Sequence, residues 1–412
     1  MNLLKKYFRT GVIAVILASL FSVNVVSQAA ADGITWTSRT SAADNQWTSV
    51  AYGNGLWVAV SQNGTGNRVM TSADGITWTS RTSAADNGWA SVTFGNNLFV
   101  AVSSNGAGNR VMTSPDGIIW TSRASAADNG WASVTFGNNL FVAVSFNGAG
   151  NRVMTSPDGI IWTSRTSAAD NGWASVTFGN NLFVAVSSDG AGNRVMTSPD
   201  GIIWTSRAAA NNFWVAVTFG NNLFVAVGRD GTGDRVMTSP DGIVWTSRTS
   251  AADNGWNAVT YGNGLFVAVS WNGTGNRVMT SPDGIVWTIR TSAADNGWVG
   301  VAYGDGLFVA VSWDATSNGV MTSGATGVAA RAAAAAAAEA ARVAAANAEA
   351  ARKAKEQKEL TEILALIPSI GELTLSLGET TKSLYSTKCV KGKTVKYVNK
   401  GSKCPKGYVK KK

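Results

Sequence analysis

The segment Asp-Gly-x-x-Trp recurs along most of the chain with a period of 42 residues, shortened once to 41. Self-similarity at this period is typical of folds in which one unit cannot bury its own apolar face and therefore needs its neighbours. The chain is accordingly expected to fold as a series of similar units packed against each other. The seven copies are Asp32-Gly33-Trp36, Asp74-Gly75-Trp78, Asp116-Gly117-Trp120, Asp158-Gly159-Trp162, Asp200-Gly201-Trp204, Asp241-Gly242-Trp245 and Asp283-Gly284-Trp287.

Each unit is predicted to form four short strands, as the second full copy illustrates. The first three strands are predicted at 89–94, 98–103 and 110–114, and the fourth at 118–123. Gly95-Asn96-Asn97 supplies the tight hairpin turn between the first two. Four strands in a repeat of this length are typical of a propeller blade. The continuous apolar run of the second strand favours sheets covered on both faces, as in radially packed blades, over a solenoid of stacked hairpins.

The two ends of the repeat region complement each other. The first copy supplies only a fourth strand, at 34–39, whereas the last copy supplies three strands and ends at Ser323 without a fourth. We therefore expect an all-β, seven-bladed β-propeller of four-stranded blades over 32–324, closed by the N- and C-terminal strands. Closure hides the strand edges that an open array would expose.

The Ser-Pro-Asp-Gly-x-x-Trp segments resemble the Asp-box (BNR-like) repeats of sialidase-like propellers. One residue separates Asp from Gly in the usual pattern, whereas here the two are adjacent, so the resemblance concerns fold rather than activity. Asp accepts backbone N–H groups in such a turn, Gly adopts positive φ and Trp packs on the neighbouring sheet. A structural role is therefore expected for Asp74, Gly75, Trp78, Asp116, Gly117, Trp120, Asp158, Gly159, Trp162, Asp200, Gly201, Trp204, Asp241, Gly242, Trp245, Asp283, Gly284 and Trp287.

A sialidase-type active site needs an acidic partner for a tyrosine nucleophile and several arginines around the substrate carboxylate. Between Asp32 and Ser323 the chain has no Glu, and it has no His anywhere. Arginines such as Arg110 and Arg123 recur at repeated positions and are not expected to converge on one centre. We therefore expect a binding protein and not an enzyme, with no catalytic residue, cofactor or metal site. An Asp-box glycoside hydrolase and a structural surface protein without a specific ligand are the alternatives.

The position after each second strand differs from blade to blade: it is Gln62, Ser104, Phe146, Ser188, Arg229, Trp271 and Trp313. Strand order puts it on the same face as the connections between blades, which carry a recurring aspartate. Exposed aromatics beside carboxylates suit a glycan or a protein partner, although drift in exposed loops gives similar variation. The candidate ligand-binding residues are Phe146, Arg229, Trp271, Trp313, Asp44, Asp86, Asp128, Asp170, Asp253 and Asp295.

The first 31 residues have the layout of a signal peptide. Lys5, Lys6 and Arg9 precede the apolar run 11–26, and small residues follow it. We therefore expect a secreted or cell-surface protein. The run is shorter than the about 20 residues that a membrane helix needs, so no transmembrane span is expected in the mature chain.

The C-terminal part divides into an Ala-rich helical stalk (325–367), a linker (368–387) and a basic tail (388–412). Because export would place Cys389 and Cys404 in an oxidising compartment, we expect a disulfide between them. The tail resembles a lysine-rich two-cysteine module at the C-termini of exported actinobacterial proteins. Its ten lysines and lack of acids predict contact with anionic cell-wall polymers or lipid headgroups. Nucleic acid also fits this charge, but export makes it an unlikely partner.

Overall fold

The computed structural model describes residues 33–324, 340, 342–344, 346–359, 361–362 and 386–411. The predicted signal peptide, much of the predicted stalk and most of the predicted linker lie outside these ranges. The chain divides into two compact units, Met1–Val343 and Ala344–Lys412, and each is described by itself.

The described blades of the first unit are antiparallel four-stranded sheets; in six of them the strands follow each other in chain order, and in the seventh the N-terminal strand joins the last three. Strand β1 spans Trp36–Arg39. Blade 1 contains β2 (Trp47–Gly53), β3 (Leu56–Ser61), β4 (Val69–Ser72) and β5 (Thr79–Arg81); blade 2 contains β6 (Trp89–Gly95), β7 (Leu98–Ser103), β8 (Val111–Ser114) and β9 (Thr121–Arg123). Blade 3 contains β10 (Trp131–Gly137), β11 (Leu140–Ser145), β12 (Val153–Ser156) and β13 (Thr163–Arg165); blade 4 contains β14 (Trp173–Gly179), β15 (Leu182–Ser187), β16 (Val195–Ser198) and β17 (Thr205–Arg207); blade 5 contains β18 (Trp214–Gly220), β19 (Leu223–Gly228), β20 (Val236–Ser239) and β21 (Thr246–Arg248). Blade 6 contains β22 (Trp256–Gly262), β23 (Leu265–Ser270), β24 (Val278–Ser281) and β25 (Thr288–Arg290); blade 7 contains β26 (Trp298–Gly304), β27 (Leu307–Ser312) and β28 (Val320–Ser323).

Blade 7 is completed by the N-terminal strand. Strand β1 pairs antiparallel with β28, with Trp36 opposite Ser323 and Arg39 opposite Val320. The first strands of successive blades contact each other all the way round, and β26 of blade 7 contacts β2 of blade 1. The prediction of a closed seven-bladed propeller is therefore confirmed.

The predicted fourth strands are too long at their N-terminal ends. In blade 2 the fourth strand begins at Thr121 rather than at Ile118, because the N–H groups of Ile118 and Ile119 donate to the side chain of Asp116 and are held in the turn. The predicted hairpin turn is present, with positive φ at Asn96 and Asn97 (48° and 56°).

The apolar core lies between neighbouring blades. Val100 and Val102 of blade 2 pack against Trp131, Phe141 and Trp162 of blade 3. Trp131 and Phe141 are fully buried, and each such side chain contributes about 2 kcal/mol or more through burial. One blade alone would leave this surface exposed, so the stability of each blade depends on its neighbour.

A glycine ends each first strand because an aromatic ring of the next blade leaves no room for a side chain. A Cβ added at Gly137 would lie 2.1 Å from Cγ of Phe178. The same approach, also at 2.1 Å, joins Gly95 to Phe136. These contacts bring the first strands close together around the centre of the ring.

The described residues C-terminal to the blades form a helix and a small sheet. Helix α1 covers the described residues of 342–359. Strands β29 (Ser386–Lys391), β30 (Thr394–Asn399) and β31 (Val409–Lys410) form a sheet in the order β30-β29-β31. A disulfide joins Cys389 to Cys404, which confirms the predicted pairing. Among the residues that the structure describes, no helix has both the length and the apolar composition needed to cross a membrane.

Replacing Trp36 by Ala should lower the free energy of unfolding by about 3 kcal/mol, because this buried side chain anchors the closing strand. Since β1 is held to blade 7 without a covalent link to β28, hydrogen exchange should rise throughout β1 and β28. The matched change Trp204→Ala should destabilise the protein similarly but raise exchange mainly around its own turn. Equal exchange patterns in the two variants would contradict this account of closure.

Candidate ligand-binding site at the centre of the ring

Every first strand contains a β-bulge near its start. In blade 2, Trp89 lies opposite Ser103 and Ser91 lies opposite Val102, which leaves Ala90 between them without a partner residue. Bulges re-aim side chains and often border functional sites. The seven bulge residues line one cavity, which therefore lies at the centre of the ring, where all blades meet. They are Thr48, Ala90, Ala132, Ala174, Val215, Asn257 and Val299.

This central cavity has a volume of about 610 Å³, within the usual range of small-ligand sites. It opens on the face that carries the connections between second and third strands, which we call the loop face. Residues that directly follow the second strands line its mouth: Gln62, Ser104, Phe146, Ser188, Arg229 and Trp313. The cavity therefore brings together three predicted candidates, Phe146, Arg229 and Trp313.

Trp271 occupies the equivalent position in blade 6 but is not among the residues that line the cavity. Its indole covers Gly255, where a Cβ would lie 2.1 Å from Nε1, and 51% of the residue is exposed. The sequence placed Trp271 and Trp313 in one group, and the structure separates them.

The six candidate aspartates also lie outside the cavity lining. Five of them accept a hydrogen bond from a glycine N–H in the preceding loop between second and third strands, as Asp86 does from Gly66 at 2.7 Å. Each also lies 3.6 Å from an arginine Nε, as Asp86 does from Arg68. These contacts hold the loops in place. The other pairs are Asp128 with Gly108, Asp170 with Gly150, Asp253 with Gly233 and Asp295 with Gly275.

The asparagine after each of these aspartates makes a complementary contact that the sequence analysis missed. Asn87 donates from Nδ2 to the backbone oxygen of Asn109, in the loop of the following blade, at 2.8 Å. Asp86 holds the loop of blade 1, so the Asp-Asn pair ties two consecutive loops together. The sequence does carry a sign of this contact, since Asp and Asn stand three and two residues before the first-strand Trp in six copies. Asn211-Asn212 takes their place in the remaining copy.

The Asp-Gly-x-x-Trp turns lie on the opposite face. Asp200 Oδ1 accepts the N–H groups of Ile202 and Ile203 at 2.8 and 3.0 Å, and Gly201 has φ of 73°. Trp204 donates from Nε1 to the carbonyl of Gly201 at 3.0 Å. Such contacts stabilise a turn and leave the carboxylate occupied. The donated N–H groups lower the pKa of Asp200 and of its equivalents Asp158, Asp241 and Asp283.

Thirteen of the fourteen arginines in the blades belong to two repeated sets. Seven end the fourth strands and donate from Nε to a threonine hydroxyl, as Arg123 does to Thr113 at 3.0 Å. Six precede the third strands and donate to a loop carbonyl, as Arg110 does to Gly106 at 2.9 Å. Arg229 belongs to neither set and is the exception.

Arg229 lies in the cavity wall between blades 5 and 6. Its Nε donates to Asn257 Oδ1 at 2.6 Å, and its guanidinium carbon lies 5.8 Å from the ring centre of Phe213. The side chain of Arg229 is exposed, and the protein around it nevertheless lowers its pKa by partial removal from water, although arginine remains cationic at neutral pH. Among the described residues, no carboxylate forms an ion pair with it.

Comparisons with known proteins support the fold. Similar solved structures include virginiamycin B lyase from Staphylococcus aureus, with a TM-score of 0.60, 12% identity and coverage of 71% of this chain and 99% of that one. YCF48 bound to D1 peptide has a TM-score of 0.55, 16% identity and coverage of 74% and 100%. The fold is that of a β-propeller. No protein-family model matches the chain, and no curated protein matches its sequence.

These neighbours contradict the prediction that the chain is not an enzyme. Virginiamycin B lyase and a streptogramin B lyase, the latter with a TM-score of 0.59, are enzymes on the same fold. Enzymes therefore occur on this fold, and the prediction that the chain is not an enzyme does not stand. An identity of 12% shows the fold alone and establishes no activity for this chain.

Acid should destabilise the propeller through the turn aspartates. The folded pKa values of Asp158, Asp200, Asp241 and Asp283 lie below the ordinary value. Their ionised forms therefore stabilise the fold above about pH 4, and this contribution is lost as the pH falls through the folded values. When all four are changed to Asn, the melting temperature should decrease less between about pH 5 and pH 2 than it does in the wild-type protein. An unchanged profile would contradict this assignment.

Proposed function

We propose that the protein binds a ligand, a glycan or a segment of a protein partner, in the central cavity on the loop face. The observation that carries this proposal is that sequence variation between blades concentrates in the cavity wall. The buried residues of the second strands are nearly the same in every blade, whereas bulge residues and mouth residues change. A repeat that is uniform in its core and varied at one concave site fits a scaffold that carries a binding site.

The varied residues are distributed unevenly around the ring. The bulge residues of blades 2 to 4 are Ala90, Ala132 and Ala174, and these blades add Phe146 and Asp189 to the lining, whereas blades 5 to 7 contribute Phe213, Arg229, Asn257 and Trp313. The cation and the bulge amide therefore lie on one side of the wall, and the small bulge residues and a carboxylate lie on the other. Such asymmetry supports recognition of an unsymmetrical ligand in one orientation.

The neighbours support a propeller as a scaffold for this role. YCF48 was solved with a D1 peptide, and two other neighbours on this fold are lyases named for virginiamycin B and streptogramin B. The similarity to this chain is in fold, so the ligand itself is inferred from the cavity. The same proposal includes secretion or display at the cell surface, which rests on the predicted signal peptide.

Trp313→Ala should weaken ligand binding by about tenfold or more, because a tryptophan that contacts the ligand typically carries a large share of the affinity. Trp271→Ala is the matched control, since it removes the same side chain at the equivalent position outside the cavity lining, and it should change affinity less than twofold. Binding of the mature protein would first be found on glycan, cell-wall polysaccharide and peptide arrays, then measured by calorimetry. Equal losses in both variants, or no loss in either, would contradict the proposed site.

The C-terminal sheet supports a second proposed contact, with an anionic cell-wall polymer or anionic lipid headgroups. Val390 lies opposite both Val395 and Val409, so three valines form a row across the sheet. Val395, Val409 and Tyr397 are exposed by 43, 74 and 54%. Lysines surround this face, and Lys388 lies opposite Tyr397. An exposed apolar row bordered by cations fits an anionic surface with an apolar layer beneath it.

The full mature chain should bind vesicles that contain one-third phosphatidylglycerol, and NaCl should release it between about 0.05 and about 0.5 M, because screening weakens attraction between exposed charges. Lys393→Glu combined with Lys411→Glu should weaken binding and reduce its dependence on salt. Tyr397→Ser should weaken binding without changing the salt dependence. Purified cell walls serve as the parallel surface. Retention on both surfaces that is unchanged by deletion of 388–412 would contradict this contact.

A further inference from the structure

We infer that Arg229 binds a carboxylate, and that the carboxylate belongs to an acidic peptide segment of a protein partner. This inference rests on the proposed function, because it names the class of ligand for the same cavity. Three observations carry it: the unpaired charge of Arg229, the way its guanidinium is held, and the chemistry of the remaining cavity wall.

Arg229 forms no ion pair among the residues that the structure describes. Its Nε donates to Asn257, and its other N–H groups have no hydrogen-bond partner among the described residues. Asp189 lines the same cavity and accepts one N–H from Gly172 at 2.5 Å, and Asp230, the next residue in the chain, accepts one from Phe213. Neither carboxylate forms an ion pair with Arg229. A cation that has lost part of its hydration, but gained no anion, is ready to pair with one from a ligand.

The guanidinium is held in a defined orientation. Asn257 of blade 6 accepts a hydrogen bond from its Nε, and the ring of Phe213 of blade 5 lies beside it. Elsewhere the residue before the first-strand Trp is Gly or Gln, so Phe213 is specific to the blade that carries Arg229. A fixed guanidinium leaves its remaining donors in a fork that matches both oxygens of a carboxylate. Fixing it in advance also reduces the entropy lost on binding.

The rest of the cavity favours a peptide over a sugar. The hydroxyl of Thr48 already donates to the carbonyl of Trp89 at 2.7 Å. Those of Ser104 and Ser188 donate to the carbonyls of Gly88 and Gly172, both at 3.2 Å. A sugar ring would find these three hydroxyls already engaged, with the Gln62 amide and the Asp189 carboxylate as further polar groups of the lining, so a ring with hydroxyls on every side would leave several of them without water or a partner. Aliphatic side chains next to a carboxylate would meet the apolar bulge residues Ala90, Ala132, Ala174, Val215 and Val299.

The test uses a peptide array in which every Glu or Asp peptide is paired with its Gln or Asn isostere, together with an array of neutral and uronic-acid glycans. The wild-type protein should prefer the acidic member of bound pairs by about tenfold or more, since charge-assisted hydrogen bonds are about twice as strong as neutral ones. Arg229→Gln should abolish the preference, and Arg229→Lys should restore part of it. The preference should also decrease with added salt.

Equal binding of acidic and neutral peptides by the wild-type protein, or a preference that survives Arg229→Gln, would overturn the inference while leaving the cavity as a binding site. Binding to glycans with none to peptides would also overturn it, because it would assign the cavity to the other class of ligand. Failure of the Trp313→Ala test would instead count against the proposed site itself. Unchanged thermal unfolding of Arg229→Gln shows that the variant is folded.

Discussion

Burial of aromatic rings between blades is the interaction on which the rest of this structure depends. Each first-strand tryptophan, such as Trp131, is covered on one side by valines of the preceding blade. No blade can bury this surface alone, so the ring must close, and β1 closes it by pairing with β28. The position of the central cavity follows from closure, because only a closed ring brings seven first strands together around one centre.

Most of the fold could be predicted from the sequence because its determinants are local. Alternating turn residues and apolar runs define the strands, and the unmatched strands at the two ends predict how the ring closes. The strand ends were less accurate at the Asp-Gly-x-x-Trp turns, where Asp116 captures two N–H groups and delays the fourth strand until Thr121. That competition between a side chain and the sheet is not visible in hydrophobic periodicity.

The candidate site could be predicted only in part. The sequence identified the position after each second strand, and Phe146, Arg229 and Trp313 do line the cavity. It could not separate Trp313 from Trp271, because the direction of a loop side chain depends on local packing that the sequence does not show. It also grouped the aspartates with the ligand-binding residues, whereas five of them hold loops. The prediction that the chain is not an enzyme rested on missing residue types, and it is contradicted by the lyase neighbours, which are enzymes on the same fold.

The bulge in each first strand has a consequence for how such a protein can change over generations. A bulge residue such as Ala90 has no partner across the sheet, so its replacement alters the cavity wall without removing a pairing contact or a buried core side chain. The ring repeats this position in all seven blades. Selection can therefore revise the wall at such a position one blade at a time, and combinations around the ring give a wide range of specificities on an unchanged frame.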